Sequence, residues 1–357
     1  MELKNELQTA PSVRRWLKNL RGLPQQYASS LYDWFTVERH AVYGLAVMRM
    51  ASGLLILGWL VFNAPVADKI WGPGSAYLEP YRSVLGYKWP LNVLEGTGTA
   101  FFVFWYVVAI LLAILFTVGW KTRFVTPLLF VFYTAINAQN TPVSDGGNYF
   151  IRIMLIYLIF ADLSRVWSID AWRRNRKGHV RRQFEIVTVL HNVALCLVVA
   201  QLCLVYFEAG MYKVQGSLWQ AGTAMYYPIS SEYYGVFPWL SELISYNSWV
   251  VVLITYVTVI AQIAFPFMLF HRVTRRIALI TILGMHLGIA IVMGLPFFSG
   301  IMASADAVLV SGATWLVIQR WLKGCWDALV AKFGKRGNPS PPNRPRTSEE
   351  TVTLINH

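Results

Sequence analysis

A carboxylate and an amine, those of Glu208 and Lys213, follow an apolar segment that begins near Val187. Ionisable side chains at membrane depth cost roughly 3 kcal/mol on insertion scales, so they usually face a protein interior or a wet cavity. Desolvation favours the neutral amine, and a lysine held there could act as a base or nucleophile near neutral pH. Glu208 and Lys213 are therefore candidate catalytic residues. The alternative is an ordinary interfacial glutamate and a lysine whose amine extends to the headgroup region.

A second set of polar residues precedes and enters another apolar run. Asp145, Asn148 and Arg152 are spaced i, i+3 and i+7, so they project from one face of a helix. Arg152 lies inside the apolar run, where a guanidinium needs a partner such as Asp145, a carbonyl or a bound anion. Two interpretations stay open, a structural Asp–Arg clamp and a substrate- or cofactor-binding role.

Two later segments add ionisable groups. His286 lies near the middle of one apolar run, and Asp306 lies near the outer end of the last, on the side predicted for Lys213. We therefore expect an outward-facing polar cavity in which both residues bind substrate or cofactor. No metal is expected, because the six histidines show neither HxxxH nor HExxH spacing. Neither a GxxxxGK[ST] loop nor a GxSxG elbow occurs.

The composition is that of a polytopic membrane protein. Of the 357 residues, 56% are hydrophobic and 14% charged, whereas soluble chains carry roughly 25% charged residues. Continuous apolar runs long enough to cross the bilayer predict helices, because helices satisfy their own backbone in lipid. We predict an all-α bundle of about eight spans. They lie near 42–63, 101–119, 124–139, 147–163, 187–207, 249–270, 276–294 and 303–320.

The net charge of +13 comes from basic residues that cluster in particular connections between the predicted spans. Basic residues concentrate near both ends and in the connections after the second, fourth and sixth spans, which places these loops and both termini in the cytoplasm. The candidate site is then extracytoplasmic, and the basic loops contact lipid headgroups; nucleic acid is not an expected partner. The predicted parts are a cytoplasmic amphipathic interfacial segment (1–41), the transmembrane bundle (42–320), and a cytoplasmic amphipathic stretch with a disordered Pro-rich tail (321–357).

Short motifs in a fixed order resemble the HTTM membrane domain, the bundle shared by vitamin K-dependent γ-carboxylases and bacterial relatives. The last motif is similar to a Phe-x-Ala/Ser-Gly-x-x-Lys-Leu signature of that family. In chain order the landmarks are Arg49, Trp71-Gly72-Pro73-Gly74, Gly119-Trp120-Lys121-Thr122-Arg123, Asn140-Thr141-Pro142-Val143-Ser144-Asp145-Gly146-Gly147-Asn148, Trp167-Ser168-Ile169-Asp170, and Tyr206-Phe207-Glu208-Ala209-Gly210-Met211-Tyr212-Lys213-Val214, followed by Trp219 and Gly222.

The resemblance implies a role for Lys213 and a cofactor. In the carboxylases the signature lysine deprotonates vitamin K hydroquinone, and the oxygenated product removes a proton from a substrate glutamate. The implied cofactor is thus a reduced quinone, and Trp219 becomes a candidate binding residue. The carboxylases carry a histidine near the position of Asn148 and Tyr149, and here there is none.

Compact bacterial members of the resembled family include the maturation factors of sporulation-delaying proteins, which act with partners on a secreted peptide toxin. By size and domain content they are the nearer analogue. The resemblance therefore implies maturation or modification of a secreted peptide, with the peptide precursor and an accessory protein as partners. Three alternatives stay open: a quinone-dependent carboxylase or epoxidase-like enzyme, a non-catalytic peptide-binding chaperone, and a transporter.

Overall fold

A computed structural model describes Tyr27 and residues 29–75, 88–178 and 184–334. These residues form helices and turns without a strand, which confirms the all-α prediction for the described part of the chain. A short helical stretch over residues 29–36 precedes the bundle. The helices that follow are α1 (Val42–Asn63), α2 (Ala67–Ile70), α3 (Thr99–Val118), α4 (Thr122–Gln139), α5 (Gly146–Phe160), α6 (Ile169–Arg176), α7 (Glu185–Val214), α8 (Ser217–Gln220), α9 (Tyr226–Ser230), α10 (Pro238–Tyr246), α11 (Ser248–Met268), α12 (Arg272–Val292), α13 (Pro296–Asp306) and α14 (Gly312–Gly334).

The structure does not confirm all eight predicted spans as membrane-crossing helices. Among the described residues, five helices are long and apolar enough to cross a membrane, namely Val42–Ile70, α3, α7, α11 and α12. The broken pair Pro296–Leu309 and Gly312–Ala331 adds a sixth if it counts as one span. Helix α5 has only 15 residues, fewer than the roughly 20 that a bilayer requires. In helix α4, the polar residues Arg123, Asn137 and Gln139 interrupt the apolar sequence.

The eighth predicted span, 303–320, is not one helix. Helix α13 ends at Asp306, a single 3₁₀ turn covers Ala307–Leu309, and Val310 is extended, with φ −83° and ψ 135°. A residue in the β region cannot continue the α-helical hydrogen-bond ladder. Helix α14 then begins after Ser311, a residue that favours helix ends over helix interiors.

Helix α13 occupies the middle of the compact unit that ends at Gly312. It packs against α1, α5 and α12 and also touches α7, while α7 packs along α11 and against α5. Close approach of α7 and α11 requires a small residue: a Cβ added at Gly210 would lie 2.7 Å from Cγ1 of Ile263. The residues from 313 onward form a second unit, of which the structure describes α14 alone.

The chain before α1 is tied to the beginning of α7. The side-chain amide of Asn192 lies within hydrogen-bond distance of the carbonyls of Trp34, Phe35 and Glu38, and its oxygen accepts from the backbone N–H of His40. These contacts satisfy backbone groups that no helix pairs.

Beside Asn192, the ring of His191 bridges two backbone groups. Nδ1 accepts from the N–H of Asp162 at 3.0 Å, and Nε2 contacts the carbonyl of His40 at 2.8 Å. The buried Arg39 forms an ion pair with Asp162. His191 is thus a hydrogen-bonded packing residue.

The predicted amphipathic segment before residue 27 and the Pro-rich tail from residue 335 lie outside the described residues.

Candidate functional site

A cavity of about 650 Å³ opens among α7, α11, α12 and the short helices that follow α7. Its walls are mainly aliphatic, and most of its polar side chains come from three helices: Lys213 and Tyr206 from α7, Thr258 and Gln262 from α11, and His286 from α12. Cavities of about 300–1,000 Å³ with apolar walls and a few polar groups are typical of small-molecule sites. Two of the predicted site residues, Lys213 and His286, therefore line one cavity.

Lys213 lies in the last turn of α7 and is half-buried. Its Nζ donates to the carbonyl of Ala209 at 3.3 Å and lies 5.3 Å from the centre of the Trp219 ring. Trp219, the third predicted site residue in the cavity wall, is positioned by the turn through Gly216, whose carbonyl accepts from the Trp219 N–H. The aromatic face favours a positive charge on the amine.

A buried hydrogen-bonded array reaches the wall through Tyr206 and His286, whereas its third member, Asp306, does not line the cavity. The hydroxyl of Tyr206 lies 3.0 Å from Nε2 of His286 and 3.2 Å from Oδ2 of Asp306. The exposed fractions of the three residues are 1%, 3% and 1%. Tyr206, for which the sequence predicted no role, thus connects His286 with Asp306, although only His286 of these two lines the cavity.

Several polar atoms in or next to this wall have no protein partner in the described part of the chain. They are Nδ1 of His286, Oδ1 of Asp306 and Oε1 of Gln262. Gln262 is 6% exposed, and its Nε2 reaches only the sulfur of Met285, at 3.7 Å. Buried polar atoms normally have partners, so these atoms are available to a bound ligand.

The sequence of this chain has known relatives. The HTTM domain family matches residues 39–315. The chain belongs to the HTTM domain family. It is also similar to the sporulation-delaying protein SdpB of Bacillus subtilis (strain 168), with 25% identity over 227 residues that cover 62% of this chain and 68% of the relative. No solved structure matches. The family and the apolar helices together make the chain a multi-pass membrane protein.

Within this HTTM bundle, the Asp145 set forms a separate cluster. Asp145 caps α5, and its Oδ1 accepts from the backbone N–H of Asn148 at 2.8 Å. The Asn148 side chain accepts from the hydroxyl of Tyr133. Arg152 packs over the ring of Tyr149 at 4.6 Å, and among the described contacts no ion pair joins it to Asp145.

None of the side chains of Asp145, Asn148 or Arg152 lines the cavity; only Gly146, at the beginning of α5, does. A Cβ at the next residue, Gly147, would lie 3.0 Å from the Cα of Phe298, which is also part of the wall. The α5 cluster therefore supports the cavity from behind.

Glu208 is exposed and is not part of the cavity wall. Lys213 lies five positions after it, which corresponds to about 140° around a helix, so the two side chains point in different directions. Tyr206 precedes Lys213 by seven residues, about 20° away on the same wheel. That spacing was the signal that could have found Tyr206.

The described residues contain no group of three or more His, Cys, Asp or Glu side chains arranged to hold a metal ion. For a reduced quinone the donor set does fit, because apolar walls suit a ring and isoprenoid tail, whereas Lys213, Gln262 and His286 offer partners for hydroxyl groups.

Proposed function

We propose that this HTTM protein is a membrane-embedded factor that matures or modifies a secreted peptide, with Lys213 as the base of an extracytoplasmic site. The observation that carries the proposal is the position of the Lys213 amine, half-buried in the wall of an apolar cavity beside Trp219. The similarity to a protein named for delaying sporulation supports a role connected with such a secreted product.

The surroundings of Lys213 suit proton acceptance. In its neutral form the amine keeps an N–H for the carbonyl of Ala209 and has a lone pair free. When it takes a proton, the ammonium that forms lies over the Trp219 ring, and cation–π attraction of about 1–2 kcal/mol stabilises it. The apolar wall lowers the local dielectric and strengthens this attraction.

A reduced quinone, when bound, would supply an acidic hydroxyl and two reducing electrons. Lys213, Gln262 and His286 would hold its hydroxyl groups, and the aliphatic side chains of α11 and α12 would surround its tail. The work of the protein is to bind, to exclude water and to place a proton acceptor beside the hydroxyl.

The test is co-expression with a secreted-peptide precursor encoded beside this chain, followed by mass spectrometry of the peptide in the medium. We expect Lys213→Gln to lower the yield of mature peptide by on the order of 100-fold, the usual range for loss of a general base. The matched control is Lys121→Gln, since Lys121 also lies over a tryptophan ring, at 4.9 Å from that of Trp120, but outside the cavity. Full maturation by well-inserted Lys213→Gln protein would refute the proposed role of Lys213.

A non-catalytic peptide-binding role is the second candidate, because of a separate open groove. It has a volume of about 680 Å³ and runs along α9 and α10, where Tyr226, Trp239, Tyr246 and Glu242 line it. Exposed aromatic side chains suit both the membrane interface and peptide contact. If the precursor co-purifies equally with wild type and Lys213→Gln but is lost from Trp239→Ala, binding through this groove is the function.

A further inference from the structure

The donors and acceptors around Tyr206 fix the protonation pattern of the buried array. A tyrosine hydroxyl has one proton. When that proton is donated to Oδ2 of Asp306, the hydroxyl oxygen must accept from Nε2–H of His286. The imidazole is then the neutral tautomer whose Nδ1 carries the lone pair. That Nδ1 has no partner, and His286 lines the cavity.

We infer that His286, Tyr206 and Asp306 form a second proton-accepting site of the cavity, separate from Lys213, which carries a proton from a bound hydroxyl or amide group to the buried Asp306 carboxylate. The inference deepens the proposed function, in that it adds a route for a second proton at the same cavity. The ligand class it fits is an apolar molecule with an ionisable O–H or N–H group.

The transfer balances without a co-reactant. The proton of the ligand binds to Nδ1 of His286, the Nε2 proton of the same ring moves to the hydroxyl oxygen of Tyr206, and the original Tyr206 proton moves to Oδ2 of Asp306. The ligand becomes an anion and the Asp306 carboxylate becomes a carboxylic acid. Histidine and tyrosine end neutral, the histidine as its other tautomer.

Two features of the array go beyond packing. Asp306 has no hydrogen bond or ion pair with any lysine or arginine among the described residues, so its negative charge is not neutralised where it is buried. An unpaired buried carboxylate is costly, whereas one that can take up a proton is not. Tyr206 is also held in place by its ring, which packs edge to face with that of Phe265 at 4.7 Å.

The test follows the Asp306 carboxylic acid directly by infrared spectroscopy of the purified protein in lipid nanodiscs. Its carbonyl band is identified by its loss in Asp306→Asn, at a pH at which the acid form is populated. Transfer into D₂O then shifts the band as the acidic proton exchanges. Because Asp306 is only 1% exposed, we expect exchange in wild type to pass mainly through its hydrogen-bond partner Tyr206.

We expect exchange to slow by on the order of tenfold or more in Tyr206→Phe, which keeps the ring and removes the relay atom. His286→Gln should slow exchange similarly, and it keeps the test decisive if Tyr206→Phe does not fold. The matched control is Tyr106→Phe, since Tyr106 is another buried tyrosine, whose hydroxyl donates to the carbonyl of Leu60 at 2.7 Å. Its loss should leave the exchange rate unchanged.

Wild-type exchange rates in both Tyr206→Phe and His286→Gln would overturn the relay, as would the absence of an Asp306 acid band at every pH at which the protein stays folded. The measurement needs neither peptide nor quinone. Lys213→Gln should leave band and exchange as in wild type, so failure of the relay and failure of the Lys213 proposal give different results.

Discussion

The guanidinium of Arg49, deep in α1, donates from Nη2 to the carbonyl of Trp167 at 2.6 Å. Its Nη1 donates to the carbonyls of Phe116 and Thr117, at 3.0 and 2.6 Å. These two residues lie in the last turn of α3, where helix carbonyls have no partner within the helix. A cation there also meets the negative end of the helix dipole. Arg49 therefore caps α3 and joins it to the loop before α6.

Replacing Arg49 with methionine should destabilise the bundle by at least about 2 kcal/mol, because the carbonyls of Thr117 and Trp167 lose their donor and each such buried acceptor costs about 1–3 kcal/mol. The Phe116 carbonyl still accepts from the N–H of Gly119. The measurement is the free energy of unfolding in detergent. The control is Arg173→Met on α6, whose side chain is exposed, and which should change stability by less than about 0.5 kcal/mol. Equal stabilities of the two variants would mean that the carbonyl contacts of Arg49 carry no free energy.

Loss of the Asn192 contacts should release the chain segment that precedes α1. Asn192→Leu keeps the size of the side chain but removes its contacts to Trp34, Phe35, Glu38 and His40. We expect amide exchange across residues 34–40 to quicken on the order of tenfold or more, since a loss of ~1.4 kcal/mol of local stability suffices for that. Hydrogen–deuterium exchange with mass spectrometry measures it.

Asn175→Leu, at an exposed position of α6, is the control for that experiment. If residues 34–40 exchange at the same rate in Asn192→Leu as in this control, the segment is held by other contacts, among them the Arg39–Asp162 ion pair.

Continuous apolar length predicted seven helices that the structure contains, because apolar segments in lipid leave the backbone few alternatives. They could not predict which helices are long enough to span. Helix α5 stops at Phe160, and the last predicted span breaks after Asp306. At those ends the backbone becomes extended, at Ala161 and at Val310, and helix boundaries are the part of secondary structure that a single sequence predicts least well.

The sequence predicted those site residues whose side chains are unusual inside an apolar membrane segment. His286 and Asp306 stood out as ionisable groups in apolar runs, and they do converge. Tyr206 did not stand out, since a tyrosine in a membrane helix is ordinary; only its shared face with Lys213 marked it. Glu208 stood out by its charge, yet the turn of α7 exposes it.

Topology is a prediction that labelling can check. With Cys196 and Cys203 replaced by serine, we expect a membrane-impermeant maleimide to label Ser217→Cys, at the exposed start of α8, in intact cells. Cys325, exposed on α14, should be labelled only after permeabilisation, because the basic residues around it favour the cytoplasm. The reverse pattern would place the cavity on the cytoplasmic side and would exclude direct action on a peptide after its export.

If the cavity binds an apolar ligand, a large side chain introduced into the cavity should block that binding. Gly288 lines the cavity, and a Cβ added there meets nothing within 4 Å, so the side chain of Gly288→Phe can begin there without a backbone clash. We expect menadiol at about 100 times its dissociation constant to stabilise wild type by about 2.7 kcal/mol, and Gly288→Phe to lose this stabilisation while its own unfolding is unchanged. Gly324→Phe is the control, because a Cβ at Gly324, on α14, also meets open space but lies outside the cavity. Stabilisation of Gly288→Phe equal to that of the control would show that menadiol binds elsewhere, and the quinone part of the proposed function would then have to be abandoned.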